Sequence, residues 1–115
     1  MKNIILLISM ILLQLFAGNH KVDVWKTMTI APNESITINK VKAPVTLEIK
    51  NLSDEKINLV SDIKVPAEIS GKSELKYRLP KKSSLKLENK NATSVSIYLH
   101  YYSSKSIFIN NKELR

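Results

Sequence analysis

SVSIYLHYY, residues 94–102, alternates without a break. Val95, Ile97, Leu99 and Tyr101 fall on one side, and Tyr98, His100 and Tyr102 on the other. Successive side chains of an extended strand point to opposite faces. The stretch therefore predicts a strand with an apolar inner row and an aromatic, polar outer row. The same period runs outward along the chain: Val45, Leu47 and Ile49 share a face, as do Leu75, Tyr77 and Leu79. No window carries the i, i+3, i+4, i+7 spacing of an amphipathic helix.

Strands are predicted at 22–30, 35–41, 45–50, 56–60, 73–79, 84–88, 94–102 and 106–109. Seven to eight short strands with turn signals between them point to an all-β fold, a small antiparallel β-sandwich of Ig-like or cupredoxin-like type. Residues 63–71 carry Pro66 and Gly71 and read as an edge strand or a crossover loop. A faint echo links PNESITI at 32–38 with PKKSSLKL at 80–87: each is a proline-led turn followed by an alternating strand. Asn33, Asn51 and Asn91 match the glycosylation acceptor pattern, but each borders a predicted strand, where asparagine suits turns that enter the left-handed region.

MKNIILLISMILLQLFAGNH, residues 1–20, has the layout of a signal peptide: Lys2, an apolar run at 4–13, then the small residues Ala17 and Gly18. We expect a signal peptide at 1–18 and one domain at 19–115, in a secreted or periplasmic protein. The other reading is a retained anchor. The apolar run at 4–17 would reach about 21 Å as a helix, short of a hydrocarbon core of about 30 Å. A membrane is thus expected to matter only through an uncleaved leader.

The chain has 115 residues and no cysteine, which excludes a disulfide framework, a thiolate metal site and a cysteine nucleophile. Its formal charge is +8. Much of the excess lies at 71–90, where Lys72, Lys76, Arg78, Lys81, Lys82, Lys86 and Lys90 face only Glu74 and Glu88. That segment suits an anionic surface or an acidic partner, with Lys76, Arg78 and Lys86 as candidate contacts. The plainer reading is a solvated sheet face, since alternation alone turns many lysines outward. No recognition helix or motif suggests nucleic acid.

Catalytic patterns are scarce. The one glycine beyond the leader rules out a glycine-rich phosphate cradle, and neither His20 nor His100 has the context of a nucleophile relay. We expect no enzyme and no cofactor. Tyr98, His100 and Tyr102 form an aromatic row suited to sugars or to a partner protein, if their face is open; otherwise they lie under a loop or pair across strands. Trp25 alternates with Asp23 and Thr27 and reads as a core or sheet-edge residue. A cut after Ala17 would leave Gly18-Asn19-His20 at the new terminus, a four-nitrogen set suited to Cu(II) or Ni(II). The plainer reading is a frayed end.

Residues 45–69, VTLEIKNLSDEKINLVSDIKVPAEI, resemble a segment of the periplasmic copper-chaperone proteins of the PCuAC type, and Val24-Trp25 followed by Pro32 looks like that family's early tryptophan segment. The resemblance implies a cupredoxin-like sandwich exported to the periplasm. The family's histidine and methionine ligands are not matched: Ser70-Gly71 stands near the first position, no methionine follows Met28, and His100 is flanked by Leu99 and Tyr101. The leading expectation is a non-catalytic exported binding or assembly module for an anionic or glycan ligand or a partner protein. The alternatives are a copper-handling protein using His20 and His100, and a subunit that docks by strand addition.

Overall fold

A computed structural model describes residues 21–114; the expected leader at 1–18 and His20 lie outside the described residues. The described residues form ten strands and no helix: β1 Val22–Ile30, β2 Ser35–Ile38, β3 Val45–Asn51, β4 Ile57–Ser61, β5 Glu68–Ile69, β6 Glu74–Leu79, β7 Leu85–Glu88, β8 Val95–Ser103, β9 Ile107–Ile109 and β10 Lys112–Leu114. A four-stranded sheet has the order β1-β8-β3-β6, and a six-stranded sheet the order β10-β9-β2-β7-β4-β5. Every pairing is antiparallel.

The antiparallel sandwich is as the alternation predicts, with two strands more than expected. One is β5, within the segment read as an edge strand or crossover, and it is the outermost strand of the six-stranded sheet. The other is β10, joined to β9 through Asn110 and Asn111, whose φ values of 50° and 68° make a left-handed two-residue turn. Each strand is too short for period two to show.

Alternation also explains the core. Val45, Leu47, Ile49, Leu79, Val95, Ile97, Leu99 and Tyr101 of the smaller sheet are buried in one cluster with Ile36, Ile38, Ile57, Leu59, Leu85, Leu87, Ile107 and Ile109 of the larger. Tyr101 is the largest of these side chains. Its hydroxyl donates to the Leu114 carbonyl at 2.8 Å and accepts from the Ile107 amide at 3.4 Å, tying β9 and β10 to the floor of the core.

The echoing segments at 32–38 and 80–87 do the same job. Each carries the chain from the smaller sheet into the larger, through a turn holding Asn33 at φ 60° or Lys82 at φ 72°. The strands they deliver, β2 and β7, pair with each other. Asn51 is used differently from the left-handed turn expected of it. It ends β3 fully buried, and its side-chain amide donates to the carbonyls of Glu55 (2.6 Å), Ile69 (3.2 Å) and Ser70 (3.2 Å). Asn91 likewise keeps an ordinary φ; it hydrogen-bonds Asn89, a second buried amide, which donates to Ile30, Ala31 and Thr93. Buried amides that satisfy several loop carbonyls hold connections that sheet pairing cannot reach. Gly71 is required by a close approach: a Cβ there would lie 2.2 Å from the Asp54 carbonyl oxygen.

Strand β1 edges the smaller sheet, and Lys26 interrupts its inner row between the half-buried Val24 and Met28. A charge among inward positions of an edge strand discourages pairing with another chain. Among the described residues no helix is long and apolar enough to cross a membrane.

Candidate binding face

Strand β8 lies between β1 and β3, so its outward side chains have neighbours on both sides. The registers set three rows across the outer face of the smaller sheet. Asp23, Tyr102, Thr46 and Arg78 form one; Trp25, His100, Glu48 and Lys76 the next; Thr27, Tyr98, Lys50 and Glu74 the third. Five of the six binding residues expected from the sequence therefore share one face: Tyr98, His100, Tyr102, Lys76 and Arg78.

The sixth does not join them. Lys86 lies on β7 of the other sheet, where it pairs with Glu88 at 3.5 Å. The basic segment at 71–90 is thus no single surface, because the chain changes sheets at Pro80. Lys72 and Lys90 also have carboxylate neighbours, at 4.0 Å from Asp54 and 3.8 Å from Glu88.

His100 is the centre of the face. Its Nδ1 lies 2.7 Å from Glu48 Oε1 and its Nε2 2.6 Å from Asp23 Oδ1. Ionised carboxylates only accept hydrogen bonds, so both contacts are satisfied when both ring nitrogens carry protons. Burial alone lowers the pKa of His100, but the hydrogen bonds and charges of Asp23 and Glu48 outweigh it, and the net shift is upward. The hydrogen bond from His100 holds Glu48 below the usual carboxylate value; burial opposes this, and the charges of His100, Lys76 and Lys50 add to it.

Trp25 stacks on the His100 ring, with centroids 4.4 Å apart and planes 3° from parallel. The residue is still 55% exposed. Its expected place at the sheet edge holds; a place in the core does not. Tyr102 is 43% exposed, so the aromatic row is open at this end. Lys50 Nζ lies 5.9 Å from the Tyr98 ring centroid, and Arg78 Nη1 donates to Thr46 Oγ1 at 3.3 Å. The aromatic row was visible within one strand. Asp23, Trp25 and Glu48 join it through registers between strands far apart in sequence, for which a single chain carries no local signal.

Of the two histidines of the copper alternative, only His100 is among the described residues. Both His100 nitrogens already face carboxylates, and among the described residues no group of three or more His, Cys, Asp or Glu side chains could hold a metal. A bound imidazole of this kind is a structural post that fixes Trp25 and Asp23 to the sheet.

No family model matches the chain, and no curated relative does. Its fold is similar to that of a number of solved structures, including two cupin proteins. One is a cupin_2 domain of an XRE-family transcriptional regulator from Enterobacter cloacae (TM-score 0.54, 11% identity, covering 70% of this chain and 94% of that one). The other is a cupin 2 domain-containing protein from Halorhodospira halophila (TM-score 0.54, 11% identity, covering 81% of this chain and 55% of that one). The chain thus spans about half the length of the second. The likeness is one of fold: a cupin-like stack of two antiparallel sheets.

Proposed function

We propose that this protein is an exported, non-catalytic binding module that takes a glycan on the outer face of its four-stranded sheet. The observation that carries the reading is Trp25, more than half exposed while its ring is fixed by His100. An exposed indole on a sheet face gives up apolar burial, and such surface commonly marks a binding site. Fixing it beforehand lowers the entropy lost on binding. The C–H face of a pyranose stacks on an aromatic ring, while Thr46, Arg78 and Lys76 offer hydrogen bonds to hydroxyl groups. Export is supported by the leader-like residues 1–18.

Trp25 is the only tryptophan, so its emission reports the site directly. Titration of the exported protein with soluble oligosaccharides is expected to shift that emission saturably. Trp25→Ala is expected to weaken binding at least about tenfold by calorimetry, as removal of an aromatic stacking partner does. A panel that leaves Trp25 emission unchanged, with a protein partner cross-linked at Tyr102 instead, would replace this reading by a protein-docking one. Amino-terminal sequencing of secreted material tests export; a chain retained with residue 1 in place overturns it.

A further inference from the structure

We infer that the cleft at one end of this face is a seat for the carboxylate of an acidic sugar. The inference rests on the glycan reading above and narrows it to one chemical class. The cleft has a volume of about 290 Å³ and is lined by Lys21, Thr46, Arg78, Tyr102 and Ser104, among others. That is room for one sugar ring, not for a chain of them.

Charge points to the ligand. Two cations line the cleft and no acid does. Like Lys42, Lys64 and Lys76 among others, Arg78 and Lys21 have no carboxylate within 4.0 Å among the described residues, and both line this one cleft. The carboxylates of the neighbouring strands, Asp23 and Glu48, are held by His100. They are therefore not free to turn and neutralise Arg78.

Geometry sharpens the choice. Among the described residues the Arg78 guanidinium makes one hydrogen bond, Nη1 to Thr46 Oγ1, which steadies the group and leaves the rest of its planar fork for a ligand. A planar fork matches a planar carboxylate bidentately, which a lysine cannot do. Tyr102 stands opposite Thr46 and is open to solvent, placed to stack on the sugar ring that bears the carboxylate. The exposed Ser104 hydroxyl at the cleft wall suits a ring hydroxyl.

The test uses the exported protein and three probes: an oligogalacturonate of three to five units, the same oligomer with its carboxylates reduced to alcohols, and a sulfated neutral oligomer. Binding is read by calorimetry and Trp25 emission. The oligogalacturonate is expected to bind in a salt-sensitive way, the reduced oligomer at least tenfold more weakly. Arg78→Gln is expected to lose about 10- to 100-fold in affinity, as loss of a charge-assisted pair does. Arg78→Lys is expected to recover part of it, and Lys86→Gln on the opposite sheet to change nothing. Equal binding of acidic and reduced oligomers, or an unaffected Arg78→Gln, overturns the inference; a retained change in Trp25 emission then leaves the glycan reading standing. Stronger binding of the sulfated probe overturns the carboxylate assignment. Silence of Trp25 toward all three removes both readings together.

Discussion

Trp25 and His100 lie face to face across two neighbouring strands, 3° from parallel, although they are far apart in the chain. The lower ring is held at both nitrogens by carboxylates, so the indole rests on an imidazole whose orientation is fixed. Binding surface and proton state are thereby linked.

That link sets a pH dependence. His100 has a pKa raised above its ordinary 6.5, so its contribution to stability is full below 6.5 and is lost as pH climbs through the raised value. Glu48 is lowered from 4.5, so its contribution is full above 4.5 and is lost as pH falls through the lowered value. For this cluster, stability is expected to peak between 4.5 and 6.5. Trp25 emission is expected to rise as His100 loses its proton. A proton-NMR titration of the His100 ring checks this directly, and Asp23→Asn should bring its midpoint down.

Asn51→Ala removes the amide that serves three loop carbonyls while leaving the strand intact. Stranding the buried Ile69 carbonyl costs about 1–3 kcal/mol, and the part-buried Glu55 and Ser70 carbonyls less, since water reaches them. We expect at least that much loss in urea unfolding, with faster amide exchange at Ser53 and Lys72. Asn51→Asp should not rescue it, because a carboxylate cannot donate.

Tyr101→Phe keeps the ring and removes the hydroxyl that meets the Leu114 carbonyl and the Ile107 amide. We expect a loss of about 1–2 kcal/mol. Faster amide exchange is expected along β9 and β10, with β3 and β8 unchanged. Uniform loosening of both sheets would show that the hydroxyl does more than anchor the last two strands.

Lys26→Val completes the inner apolar row of the edge strand. Thermal stability is expected to hold or rise slightly, while the protein gains a tendency to self-associate at high concentration. Light scattering against concentration checks this. A variant that stays monomeric would show that Lys26 does not guard the edge.

Much of the fold was legible because its interior is aliphatic and its strands alternate. Val95 to Tyr101 and Val45 to Ile49 announce both their conformation and their inward faces. The short strand β10 was not, since three residues carry no period, and β5 was legible only as an edge strand or crossover marked by Pro66. Lys76 and Lys86 looked like neighbours and are not, because a sheet change at Pro80 separates them. Asp23 and Glu48 carry no local signal of a site. Their role depends on how β1 and β3 register against β8, which is settled by packing over the whole sandwich.

Among the described residues, strand β1 pairs with β8 alone. A growing polypeptide therefore makes its first ribbon long before the one that receives it, and cannot close this sheet until residues 95–103 exist. Pairing so distant in sequence slows folding. Through that interval β1 stands unpaired, and Lys26 keeps the waiting strand from finding another partner.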